Sequence, residues 1–249
     1  MNQSAKTSLR SADTDVSSWE DIYLHEDRYN KPKEMFKHID SLVTAKRVGG
    51  STRWLDVGCA TGEFLFYLEK KHPIVSCTGI DISEPMIEKA RRNIPNHEFI
   101  CGDLFDLPSS LKEQYDIVTC TGVLQIFDEL EIPIDNLVKT VRPGGILIVT
   151  GIFNNHDVDV RMRHRRNGRR GTWESGWNLY STSTFESYFD KIHNIAKYDW
   201  HDFRMPFKIS EGPDPMRTWT IQTENDPYQL VNGAGQALFV KSCCIQVDA

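Results

Sequence analysis

Apolar residues in this 249-residue chain fall first into short runs ended by glycine or an acid, then into stretches where they recur every three or four positions. The short runs, Trp54–Val57, a second one closing on Asp81, His97–Cys101, Asp116–Thr121 and Ile146–Thr150, read as strands. Between them, residues 61–71, a segment opening at Ser83-Glu84-Pro85 and residues 128–141 read as helices, with Pro85 tolerated in a first turn. Upstream, Met35, Phe36, Ile39, Leu42 and Val43 have helical spacing within Lys33–Val48. The alternation of strand and helix predicts an α/β domain.

Past strand five the pattern loosens. A helix near Ser183 and Thr184, an alternating stretch over Lys197–Phe203, and strands over Trp219–Thr223 and Gln236–Gln246 are expected, with Asn232-Gly233 as a hairpin turn. Residues 1–17 are polar and aperiodic and read as disordered. The remainder, 18–249, reads as one domain in which 154–235 carries a substrate lid.

The ends of the first four strands hold the chemistry. Leu55-Asp-Val-Gly-Cys-Ala-Thr-Gly-Glu63 places glycines at Gly58 and Gly62 in a strand-to-helix turn, where a positive φ or a close ligand excludes a Cβ. The helix that follows directs its amides and the positive end of its dipole at whatever lies over the turn. Asp81, 25 positions after Asp56, ends the second strand where a ribose diol is bound in such sheets. Asp103 and Leu104 follow the third strand, and the fourth runs from Thr119 toward Gln125.

Taken together, these stretches resemble the class I S-adenosylmethionine-dependent methyltransferases, closely over about Trp19–Gly151 and loosely beyond. The resemblance implies a Rossmann-like, seven-stranded, mostly parallel sheet with an antiparallel last strand and helices on both faces, with S-adenosylmethionine as cofactor. Asp56-Val-Gly-Cys-Ala-Thr-Gly62 is similar to the family's Asp/Glu-x-Gly-x-Gly-x-Gly loop, with Ala60 where the middle glycine stands. By the same resemblance Asp56, Gly58, Ala60 and Gly62 border the methionine part, and Asp81 takes the ribose hydroxyls. Ile82 packs on the adenine, Asp103 and the Leu104 amide read its edge, and Thr119 and Gln125 face the sulfonium. A nicotinamide dehydrogenase fits less well, because Gly58-Cys-Ala-Thr-Gly62 lacks the Gly-x-Gly-x-x-Gly spacing.

Charge narrows the acceptor. A net charge of −6 argues against general nucleic-acid binding, and no Asn-Pro-Pro-Tyr-like motif follows strand four, so a small-molecule acceptor is expected. A non-catalytic protein binding the same cofactor shares these cofactor residues and stays open. Six arginines lie within residues 161–170 and read either as a solvated loop or as a clamp, led by Arg163 and Arg165, for a carboxylate, phosphate or sugar nucleotide. Such an oxygen nucleophile needs no general base, whereas a hydroxyl or amine does, and His156 just beyond strand five is the candidate. Tyr23 and Tyr29 either reach the site or pack, and Trp173 and Trp177 form either a packing pair or a substrate wall. No apolar run is long enough to span a membrane and no signal peptide opens the chain, so a cytoplasmic location is expected. The six cysteines include no Cys-x-x-Cys pair and read as reduced thiols, with no metal site.

Overall fold

The structure, a computed structural model, describes residues 17–44, 51–72, 76–165, 167 and 173–249. Helices α1 (Ser17–His25) and α2 (Glu34–Thr44) lead into strand β1 (Arg53–Val57). Then follow α3 (Glu63–Lys71), β2 (Ser76–Asp81), α4 (Glu84–Asn93), β3 (Glu98–Cys101), β4 (Tyr115–Thr121), α5 (Glu131–Thr140) and β5 (Val141–Asn154). Two-residue strands β6 (Arg163–His164), β7 (Glu174–Ser175) and β8 (Tyr180–Ser181) precede α6 (Thr182–Phe189) and β9 (Ile195–Phe203). The hairpin of β10 (Trp219–Ile221) and β11 (Gln229–Val231) and the last strand, β12 (Val240–Val247), complete the chain.

The main sheet runs β3-β2-β1-β4-β5-β12-β9, with β8 added beside β5. Pairing is parallel from β3 to β5, and β12 lies antiparallel to both β5 and β9. Because each parallel strand returns through a crossover, helical except between β3 and β4 where two short turns (Leu104–Asp106 and Ser109–Leu111) serve, the carboxyl ends of β1 to β5 collect along one edge. Apolar side chains alternate across the strands into two cores. Leu55, Val118, Leu147 and Ile245 pack with Ile134 of α5 and Phe185 of α6 on one face. Trp54, Ile117 and Ile148 pack with Ile39, Leu65 and Ile87 of α2, α3 and α4 on the other.

Several boundaries differ from the sequence reading for local reasons. Residue 17 belongs to a helix, while residues 1–16 of the stretch read as disordered lie outside the described residues. The same holds for residues 45–48 of the expected 33–48 helix. Helix α5 starts at Glu131 rather than Asp128, which seats Pro133 in the first turn, where its missing N–H costs no hydrogen bond. Strand β5 takes in the Pro143-Gly144-Gly145 turn as an irregularity, pairing Tyr115 with Val141 and resuming at Ile117 with Ile146. The last strand begins at Val240, because residues 232–236 form a turn closed by a Val231–Ala237 bridge.

Candidate cofactor and acceptor site

The loop after β1 is tied to β2 by its backbone. The Gly58 and Cys59 amides donate to the Ile80 carbonyl at 2.7 and 3.0 Å. Gly58 has φ +80°, and a Cβ there would stand 2.2 Å from Val123 Cγ2, so only glycine fits. Gly62, at φ +79°, begins α3 with no side-chain cap, which leaves the first amides of the helix without the usual Ser, Thr or Asp partner. Ala60 is itself left-handed, at φ +48°, in the position of the motif's middle glycine. Its amide donates to Asp81 Oδ2 at 2.9 Å, which holds it there.

Asp81 thus joins two loops, since its Oδ1 accepts from the Ser83 amide at 3.0 Å. Burial raises its pKa, opposed by the Ser83, Ala60 and Ile82 amides, and Glu20 adds like charge. Beside it Ile82 is 42% exposed, a large apolar side chain left open at the sheet edge. Asp103 accepts from the Phe105 amide at 2.9 Å and caps the short turn Leu104–Asp106, while Leu104 itself is buried. The carboxylate of Asp56 is buried and accepts from Thr119 Oγ1 at 2.7 Å. Burial pushes its pKa up to about 7, the Thr119 hydroxyl opposes this, and the nearby Asp81 charge adds to it.

Two of the expected residues, Thr119 on β4 and Gln125 just beyond it, are buried. Thr119 is fully buried and supports Asp56 instead of reaching the edge, since its hydroxyl also takes the Trp54 indole N–H at 3.1 Å. Side chains alternate in a strand, so Thr121 presents the same face one layer nearer the edge, and its buried Oγ1 has no hydrogen-bond partner. Gln125 is sealed in as well. Its amide fills the space above Gly151, where a Cβ would come within 2.1 Å, and Nε2 donates to the Ile152 carbonyl at 3.4 Å. Its Oε1 and the Thr61 hydroxyl are likewise buried without partners.

The N-terminal segment crosses this edge through Tyr29 more than Tyr23. The Tyr29 hydroxyl donates to the Thr61 carbonyl at 2.6 Å, and the Arg28 amide donates to Glu63 Oε1 at 3.0 Å. Tyr23 instead sits under the Lys33 ammonium, 4.7 Å from the ring centroid. Lys89 Nζ donates to the Tyr23, Leu24 and Glu26 carbonyls and so caps the C-terminus of α1. Glu26 pairs with Arg28, Lys33 and Arg217, joining this segment to the loop before β10. Burial alone would raise its pKa, but the three cations hold it below the usual carboxylate value.

Beyond β5 the predicted residues are less gathered. Arg163 donates to Asp128 Oδ2 at 2.7 Å and Arg161 to the Asp128 carbonyl at 2.8 Å, so both guanidinium groups fasten the segment that leads into and forms β6 to the loop between β4 and α5. Arg165 lies over the Trp173 ring at 5.3 Å, and Arg166, Arg169 and Arg170 lie outside the described residues. Trp177 packs with Ile152, Leu230 and Leu238, while Trp173 is 54% exposed. His156 is exposed in the turn after β5, its backbone amide bonded to Asn154 Oδ1 at 3.1 Å.

A doubly wound sheet in which β1 lies between β2 and β4, with acids at successive carboxyl ends, defines a nucleoside-binding α/β protein of Rossmann-like class. Residues 55–149 match the family described as Methyltransferase domain. A malonyl-[acyl-carrier protein] O-methyltransferase of Bacillus cereus is 31% identical over 185 residues, 71% of this chain and 65% of that protein. Another, of Priestia megaterium, is 34% identical over 102 residues, 40% of this chain and 36% of its own length. The chain thus spans only about a third to two thirds of these relatives. A trans-aconitate 2-methyltransferase of Deinococcus radiodurans is 25% identical, over 75% of this chain and 74% of that one. In fold, a Pyrococcus horikoshii OT3 protein superimposes with a TM-score of 0.57 at 16% identity, covering 98% of this chain and 99% of its own. These matches support a class I S-adenosylmethionine-dependent methyltransferase, with S-adenosylmethionine as its cofactor.

Proposed function

We propose that this protein moves a methyl group from S-adenosylmethionine to a small, anionic acceptor. The observation that carries this reading is the pair of neighbouring carboxylates, buried Asp56 and half-buried Asp81, at adjacent strand ends, both with raised pKa values. Such a pair is relieved by a cationic ligand and made worse by a pyrophosphate, which distinguishes a sulfonium amino acid from a dinucleotide. Unpartnered Thr61 Oγ1 and Thr121 Oγ1 and the open Ile82 side chain offer the same edge two hydrogen-bonding groups and an apolar platform.

In this reading Asp81 receives the ribose diol on lone pairs not used by Ala60 and Ser83, and Ile82 supports the adenine. Asp103 with the Leu104 amide meets the adenine edge, and the Gly58–Gly62 loop with Asp56 holds the methionine end. When bound, the cofactor supplies an electrophilic methyl group for in-line displacement. The chain contributes alignment and exclusion of water: Tyr29 and Arg28 tie the N-terminal segment down over the loop. A carboxylate acceptor needs no proton removed, and the names malonyl and trans-aconitate among the relatives denote carboxylate-bearing acceptors. For a hydroxyl or amine acceptor, the exposed imidazole of His156 would take the proton.

Calorimetric titration with S-adenosylmethionine and with NAD, followed by a methyl-transfer screen over carboxylates, phosphorylated metabolites and alcohols, tests this. Binding of S-adenosylmethionine alone and turnover of a carboxylate, unchanged in His156→Ala, are expected. Binding of NAD in its place would sink the proposal.

A further inference from the structure

Between Phe203, where β9 ends, and Val240, where β12 begins, the chain leaves the main sheet and folds back as the β10–β11 hairpin. With the ends of β9 and β12, this excursion encloses a cavity of about 360 Å³. The size suits a small ligand. Its walls are mostly apolar, from Phe203, Met205, Ile221, Tyr228, Leu230 and Phe239. Ile221 and Phe239 are 45% and 43% exposed, so the core does not claim them, yet both line this one concavity. Exposed apolar side chains converging on a hollow mark a ligand surface.

Charge is confined to part of the lining. Arg204 and Lys241 line it together with two carboxylates, Asp202 and Asp226, and the Lys241 ammonium lies 2.5 Å from Asp202. The cavity is also fixed to the reactive edge of the sheet. Phe153 of β5 donates its amide to the Phe239 carbonyl at 2.9 Å, and Asn155, the neighbour of His156, is one of the lining residues. Asp56, Asp81 and Asp103 do not line it, so it is separate from the cofactor positions. A second hollow of similar volume, between α5 and α6, is lined by Asp157 and Asp159, whose carboxylates already accept from Ser183 and from Ser181 and Thr184.

We infer that the cavity under the β10–β11 hairpin receives the apolar body of the methyl acceptor, an aliphatic carboxylate whose chain lies among Ile221, Leu230 and Phe239. Its carboxylate, the methyl-accepting end, leaves the cavity beside Asn155, toward the end of β5 and the cofactor edge. This rests on the proposed methyl transfer and adds the class of acceptor to it.

The test is calorimetric titration of straight-chain monocarboxylates of increasing length, from about four to twelve carbons, with the protein saturated by S-adenosylhomocysteine. Affinity should rise about fourfold per methylene until the cavity is full, then level off. Ile221→Glu and Phe239→Glu, both at exposed positions, should each weaken the longest bound chain at least tenfold and leave S-adenosylhomocysteine affinity unchanged. Absence of carboxylate binding, affinity independent of length, or a length dependence untouched by both substitutions would overturn the inference. Failure of S-adenosylhomocysteine to bind the unmodified protein would count against the cofactor reading instead, and the carboxylate series without it still reports on the cavity.

Discussion

The two halves of the sheet's carboxyl edge are built by different means. From β1 to β4 the positions are set by backbone: the Gly58 and Cys59 amides on Ile80, and the Ala60 and Ser83 amides on Asp81. From β5 onward side-chain bonds join the elements as well, with Arg163 on Asp128, Gln236 on the Trp177 carbonyl and Lys241 on Asp202. Backbone geometry is shared by any sequence that keeps the turn, whereas side-chain pairs are re-made with each substitution. A site that must hold one constant ligand and one variable ligand divides naturally along this line.

Three substitutions probe the contrast. The largest effect is expected from Asp81→Ala, which removes a charged acceptor from both the loop and the ligand. S-adenosylmethionine affinity should fall about 100-fold by calorimetry. A loss below threefold would mean that the backbone half does not depend on this carboxylate. The next concerns Asp56, whose folded-state pKa of about 7 lies above its ordinary 3.8. Its stabilising effect is therefore full below about pH 4 and is lost as pH rises toward 7. Asp56→Asn should flatten that part of the pH–stability curve in urea denaturation of the cofactor-free protein, and an unchanged slope between pH 4 and 7 would contradict the burial argument. The smallest effect belongs to the other half. Arg163→Met removes a partly exposed ion pair and should cost about 1 kcal/mol or less, with cofactor affinity unchanged. A loss of several kcal/mol would place Arg163 among the residues on which the fold depends.

This division also governs what could be read in advance. Strands β1 to β4 were legible because each is a short apolar run whose chemistry lies at its own end, so Asp56, Asp81 and Asp103 could be placed by counting. The depth of Thr119 against Thr121 was not, since both share one face and only packing under Trp54 separates them. Strands β6, β7 and β8 have two residues each and exist through partners distant in sequence, so no local periodicity announces them. For the same reason the arginine run could be read either as a solvated loop or as a clamp, since Asp128, which takes up Arg163, lies 35 positions away. Ala60 at positive φ was legible only as a departure from a glycine pattern, and the cause of its conformation is the Asp81 carboxylate.

The pairing of Glu26 with Arg217 joins residues 191 positions apart, and so fastens the first helix to the last hairpin. The chain is thereby closed into a loop by charge rather than by a covalent bond. Shortening it from the amino end past residue 26 would leave Arg28, Lys33 and Arg217 facing one another without their shared counter-ion. The cost of such a truncation would appear far from the cut, as a loosening of the β10–β11 hairpin, and added salt would mimic it in the intact chain.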